Sequence, residues 1–172
     1  MTSNLKGPHD NVAPSRFRPG DLDIVEDDLS GDAVRALVAF HLDDMHRHSP
    51  ADGVHALPVD GLRAPDVTFW SAWSDSELSG FAALRELAPD HGEIKSMRAA
   101  PSFRNRGVGR ILLDHLIGVA RVRGYRRLSL ETGRTAPFHA AQALYRRNGF
   151  RECPPFADYA DNDFSMCMTR TI

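Results

Sequence analysis

Arg104-Asn105-Arg106-Gly107-Val108-Gly109 is the stretch on which the fold turns. Pro101 stands just before it, and Ile111, Leu112, Leu116, Ile117 and Ala120 follow at helical spacing until Gly124. This pattern predicts a strand that stops near Pro101, a glycine-containing loop, and a helix over residues 108–123. Glycine lets backbone approach a ligand without a Cβ in the way, and first-turn helix N–H groups carry partial positive charge. Such a loop can cradle a pyrophosphate, with Arg104, Arg106 and Arg110 as added cations for its oxygens. The same spelling also suits a tight strand-to-helix turn with solvated arginines. It is not a Walker motif, because no Lys-Ser or Lys-Thr follows the last glycine, and it lacks the three spaced glycines of a dinucleotide fingerprint. Nucleotide hydrolysis and hydride transfer fall behind on that account.

Upstream of the loop, residues 67–73, 78–87 and 93–99 read as strands separated by turn-forming stretches, which predicts an antiparallel meander. Earlier still, residues 22–25 suit a first strand, and Ser30 suits the cap of a helix over residues 32–48. Val34, Leu37, Val38, Leu42 and Met45 mark that helix's buried face, with His41 the one polar residue on it. Residues 50–65 mix Pro, Gly and His, and read as an irregular connection or a short helix able to shape a pocket. Downstream, residues 127–131 suit a strand and 137–147 a helix, and Asn148-Gly149 turns into Phe150 and the C-terminal strands. The expected fold is α/β, a mixed, mainly antiparallel twisted sheet flanked by helices. Residues 21–172 form one domain, and the polar, Pro- and Gly-punctuated residues 1–20 read as a mobile leader.

Bulk properties narrow the function further. A chain of 172 residues with 42% hydrophobic and 26% charged residues is ordinary for one globular domain, and a net charge of -2 shows no global bias toward nucleic acid or membrane. The arginines at 98, 104, 106, 110, 121, 123, 126 and 127 permit a basic stripe for nucleic acid, but no aromatic residues interleave it for base stacking. Cys153 and Cys167 are too few for a disulfide framework, and no apolar run approaches the roughly 20 residues a membrane span needs, so a reducing cytoplasm fits. His41, His46 and His48 with Asp43 and Asp44 cluster at a helix end. His46 points away from the face that Asp44 and His48 share, so no three-ligand metal set forms, and no metal is expected.

Two stretches carry a resemblance to a known family. Met97-Arg98-Ala99-Ala100-Pro101 with the loop at 104–109 resembles motif A of the GNAT superfamily of N-acetyltransferases. Ala141-Gln142-Ala143-Leu144-Tyr145-Arg146-Arg147-Asn148-Gly149-Phe150 resembles its motif B, in which a helix ends at Tyr and a Gly-Phe turn opens the next strand. Residues 69–73, 92–98 and 155–159 resemble the bacterial YsnE-type branch. The resemblance implies acetyl-CoA as cosubstrate and an amine as acceptor, and a small-molecule amine is expected because the connection over residues 50–65 is long enough to cover the site. An acyl-CoA-binding sensor without catalysis remains the alternative, and a homodimer stays open. It further implies that the backbone of Met97, Arg98 and Ala99 pairs with the pantetheine arm. Arg104, Asn105, Arg106, Gly107, Val108, Gly109 and Arg110 would hold the pyrophosphate. Phe138 departs from the family, many of whose members have a pantetheine-contacting Asn there.

Amine acetylation needs an acceptor for the amine's proton and a donor for the departing thiolate. Tyr145 aligns with the family's general acid, and a phenol with a reference pKa near 10 stays protonated at neutral pH. At the position of Glu93 some members of the resembled family carry a general-base glutamate, acting directly or through water; a solvated surface Glu reads equally well, and an unperturbed carboxylate there would serve poorly.

Overall fold

The computed structural model describes residues 16–172, so residues 1–15 of the expected leader lie outside the described residues. Seven strands are present, namely β1 (Asp23–Glu26), β2 (Val67–Ser74), β3 (Glu77–Ala88), β4 (His91–Ala99), β5 (Arg127–Gly133), β6 (Arg151–Cys153) and β7 (Ser165–Thr171). They form one sheet in the order β1-β2-β3-β4-β5-β7-β6. Every neighbouring pair is antiparallel except β4 and β5, which run parallel because α3 carries the chain back between them. The helices are α1 (Asp32–His48), α2 (Val59–Leu62), α3 (Val108–Val122) and α4 (His139–Arg147).

The core lies on both faces of the central strand β3, whose Phe81, Ala82, Ala83 and Leu84 are fully buried. Side chains alternate across a strand, so adjacent β3 residues report opposite faces. Phe81 meets His41 of α1 with ring centroids 5.6 Å apart. A Cβ on Gly80 would instead face Val108 and Leu112 of α3, and would sit 2.5 Å from the Arg98 carbonyl. Helices α1 and α3 therefore cover opposite faces, and Gly80 is required where α3 comes close. The buried stripe of α3 is Val108, Ile111, Leu112, Leu113, Leu116, Ile117 and Ala120, and burying each large aliphatic side chain stabilises by about 1.5–3 kcal/mol.

Strand β4 carries the feature that opens the site. Leu84 of β3 pairs with Ile94 and Ala83 with Ser96, which leaves Lys95 as an extra residue in a bulge. The parallel ladder between β4 and β5 then ends at Ile94 and Leu130, although β4 continues to Ala99. Beyond Leu130, β5 pairs with β7 alone, up to Gly133.

Local expectations differ at three places. The N-cap of α1 is Gly31 and makes no side-chain cap bond, while the N–H of Ser30 is taken by the Asp28 carboxylate at 2.9 Å. The helix expected at 137–147 is preceded by a 3₁₀ turn over Ala136–Phe138, closed by the Phe138 N–H on the Thr135 carbonyl. The 50–65 connection contains a 3₁₀ turn at Ala51–Gly53 as well as α2.

Candidate active site

Past the point where β4 and β5 part, a cavity of about 200 Å³ opens between α1, the segment after it, the two strands, α4 and the β6–β7 connection. Met97, Arg98, Glu131 and Tyr145 all line it.

Tyr145 is placed by the turn that ends α4. Gly149 takes a left-handed φ of 84°, which reverses the chain so that the Phe150 N–H bonds the Tyr145 carbonyl and the two rings pack 5.7 Å apart. Its phenol is pushed up to about 12, first by burial and then by the charge of Glu131. It is a proton donor at neutral pH.

Glu131 is the carboxylate that the sequence reading passed over as a strand end. Burial raises it above the usual carboxylate range. The Ser165 hydroxyl, His55 and Lys95 partly offset that rise, and the charge of Glu93 adds to it. The available signal was an acidic residue continuing the buried alternation of a central strand, where Leu128, Ser129 and Leu130 are all buried.

Glu93 is 1% exposed, so it is not a solvated surface residue. The cavity wall nonetheless does not include it. The Tyr159 hydroxyl donates to its Oε1 at 2.5 Å, and the Lys95 ammonium donates to the same oxygen at 3.3 Å and to the Tyr159 oxygen at 2.6 Å. Tyr159 and Lys95 line the cavity and stand between it and Glu93. Burial and the Glu93 charge keep the Tyr159 phenol protonated, far above its ordinary range.

On the α1 side, Arg98 is held by that helix. Its guanidinium pairs with Asp44 at 2.6 Å, approaches the His41 ring nitrogen at 3.4 Å and lies over the Phe40 ring. Burial and then Arg98 push His41 down to about 4, so it is neutral at pH 7. His48 and His55 also line the cavity, whereas the ring nitrogen of His46 turns back to the Leu42 carbonyl. Among the described residues no group of three or more His, Cys, Asp or Glu is arranged to hold a metal. Phe138 lines the cavity, its ring packed on Gly133 and edge-on to Phe164 at 5.8 Å. It offers apolar contact only.

The glycine loop lies outside the cavity wall and continues from the free end of β4. Asn105 and Gly107 both take left-handed φ values, 60° and 93°, and Gly107 starts α3 with no side-chain cap bond. The Arg110 N–H donates back to the Gly107 carbonyl at 3.1 Å, and no side chain caps the Val108 and Gly109 N–H groups ahead of it, an arrangement that suits an anion. Arg110 pairs with Asp114 on its own helix at 2.8 Å, and Arg106 stacks on the rings of Phe17 and Phe103. Arg104 and Asn105 are exposed, and Val108 is buried under the sheet. A Cβ on Gly109 would meet Leu144 of α4 at an ordinary distance. Ala99 ends β4 just before the loop. An unpaired strand edge leading to an anion cradle fits a long thioester donor with a pyrophosphate at its far end.

Comparison with known proteins agrees with this geometry. The sequence profile of the Acetyltransferase (GNAT) family matches residues 33–150. The chain is 49% identical over 146 residues to the uncharacterized N-acetyltransferase YsnE of Bacillus subtilis, covering 85% of this chain and 97% of that one. It is 48% identical over 149 residues to the uncharacterized N-acetyltransferase YedL of Escherichia coli, covering 87% and 94%. A crystal structure from Klebsiella pneumoniae described as an acyl-CoA N-acyltransferase superposes with a TM-score of 0.70 at 28% identity, over 87% of this chain and 97% of that one. Given a family match over most of its length and the strand, loop and helix arrangement above, the chain belongs to the GNAT family of N-acetyltransferases.

Proposed function

We propose that this enzyme transfers the acetyl group of acetyl-CoA to the amine of a small molecule in the cytoplasm, by direct attack of the amine on the thioester. The observation that carries the small-molecule reading is a roof over the acceptor end of the cavity. His55 packs edge-on against Tyr159 at 5.0 Å, and a Cβ on Gly53 would come within 3.1 Å of the Phe164 ring. The segment after α1 thus meets the β6–β7 connection across the cavity, which favours a compact acceptor over a long peptide.

In this reading the backbone of Met97, Arg98 and Ala99 pairs with the pantetheine arm, and residues 104–110 hold the pyrophosphate. Acetyl-CoA supplies a carbonyl carbon that accepts the amine's lone pair and a sulfur that leaves. Glu131 takes the proton the amine loses, because its raised pKa brings a cavity-facing carboxylate nearer to neutrality. Tyr145 hydrogen-bonds the departing sulfur, whose thiol has a reference pKa of about 8.5, and passes it a proton that the Glu131 carboxyl replaces, so the proton lost by the amine ends on the thiol. Glu93 acts one layer back, holding Tyr159 and Lys95 in the wall beside Glu131.

A base and an acid facing one cavity favour catalysis over an acyl-CoA sensor. A thiol-release assay with acetyl-CoA against a panel of small primary amines and short peptides with free N-termini tests both points. The expected result is a kcat/KM at least about tenfold higher for the best small amine. Peptides acetylated as well or better would remove the small-molecule reading. CoA binding with no turnover on any amine would support the sensor.

A further inference from the structure

Phe17 lies at the edge of the described chain, far in sequence from the site, yet it makes contacts both with the glycine loop and with Phe103 just before it. Its N–H donates to the Arg106 carbonyl at 2.7 Å. Its ring stacks on Phe103, with centroids 5.7 Å and planes 25° apart. The Arg106 guanidinium lies 4.4 Å from the Phe17 ring centroid and 5.0 Å from that of Phe103. Phe103 is buried in the core and ends the 3₁₀ turn Pro101–Phe103 that follows β4, so the stack ties the loop to the sheet.

The bond to Arg106 falls between the two left-handed residues, Asn105 and Gly107. Asparagine is one of the few residues besides glycine that enter this backbone region readily, so the loop can hold two left-handed positions around Arg106. Successive N–H groups in such alternating backbone form a concave anion nest. No peptide among the described residues is cis, so the Gly107 N–H points opposite to the Arg106 carbonyl. Because Phe17 holds that carbonyl, the Gly107 N–H faces away from Phe17. The aromatic strap therefore grips the loop from behind and leaves the donating side clear.

We propose that Phe17 is a positioning residue that preorganises the loop for the donor's pyrophosphate, an inference that rests on reading residues 104–110 as the anion cradle. The test uses the full chain and two probes, CoA and acetyl-pantetheine, the second of which lacks the pyrophosphate. For Phe17→Ala the Kd for CoA should rise about tenfold, the order expected from losing a ring stack and a cation–π contact. Acetyl-pantetheine should serve as donor with unchanged kinetics. The KM for acetyl-CoA should rise while kcat and the acceptor's KM hold, and Phe17→Tyr, which keeps the ring, should restore wild-type binding. Unchanged or tighter CoA binding in Phe17→Ala would overturn the proposal, as would an equal loss for both donors. A wild-type protein that does not prefer acetyl-CoA to acetyl-pantetheine would instead remove the cradle reading itself.

Discussion

Glu93 and Glu131 stand on adjacent strands, both buried or nearly so, and the difference between them lies in what covers each oxygen. Glu93 has Tyr159 and Lys95 on its Oε1, whereas Glu131 faces the cavity with Tyr145 within electrostatic reach. This separates their expected effects on a pH profile measured by single-turnover acetyl transfer at saturating donor and acceptor. The rate should fall as pH drops through the raised pKa of Glu131, because the carboxylate must be ionised to accept a proton. Glu131→Gln should abolish that acid limb, and Tyr145→Phe should lower the rate about 10²- to 10⁴-fold while leaving acetyl-CoA affinity nearly intact. Glu93→Gln should keep the limb and move it to lower pH, since the Glu93 charge is one cause of the rise at Glu131. An acid limb that survives Glu131→Gln and vanishes in Glu93→Gln would return the base role to Glu93.

The start of α3 can be tested as an element, because its two glycines differ in what a side chain would meet. Gly107 has a left-handed backbone, and a Cβ there would lie 3.2 Å from the Phe17 carbonyl. Gly109 has helical backbone and only ordinary contact with Leu144 at 3.4 Å. Glutamate at Gly109 puts a carboxylate in the first turn, where the helix N-terminus would hold an anion, whereas at Gly107 the side chain would meet Phe17 behind the loop and act by displacing the loop backbone. Calorimetry should show acetyl-CoA binding lost in both variants. Thermal melting should fall clearly only for Gly107→Glu, where the left-handed backbone costs roughly 1–2 kcal/mol. Wild-type affinity in a folded Gly109→Glu would take the pyrophosphate away from this loop.

Two buried histidines and a half-buried one give the whole molecule an expected acid sensitivity. His41 on α1, His91 on β4 and His115 on α3 all have pKa values lowered chiefly by burial, and the Nε2 of His115 has no hydrogen-bond partner. A folded-state pKa below the unfolded one means that the unfolded chain binds more protons. Stability is then fully present above about pH 6.5 and is lost as pH falls below it toward each lowered folded-state pKa. For His41 alone, a fall to about 4 corresponds to a loss of about 3 kcal/mol by pH 4. Arg98 strengthens that penalty and Asp44 weakens it. Urea unfolding at pH 7 and pH 4 should show His41→Phe, which keeps a ring against Phe81, losing less stability than wild type. Equal losses would mean that His41 charges without penalty.

What the sequence by itself determined is what short-range chemistry encodes. The 3.6-residue spacing of apolar side chains set α1 and α3, the alternation and turns of residues 67–99 set the meander, and Gly149-Phe150 marked Tyr145 at the end of α4. The glycine loop was legible for the same reason, since a strand stop, two glycines and a helix start are all local. Only the tertiary structure decided which carboxylate faces the cavity, because that depends on Tyr159, 66 residues from Glu93, bonding its Oε1. The parting of β4 from β5 rests on a bulge at Lys95 that appears only when the register with β3 is known. The roof made by His55 and Tyr159, and the grip of Phe17 on Arg106, join residues about 90 or more positions apart. No pattern read along the chain reaches that far, because such contacts are selected by the packing of the whole core rather than by the residues that flank them.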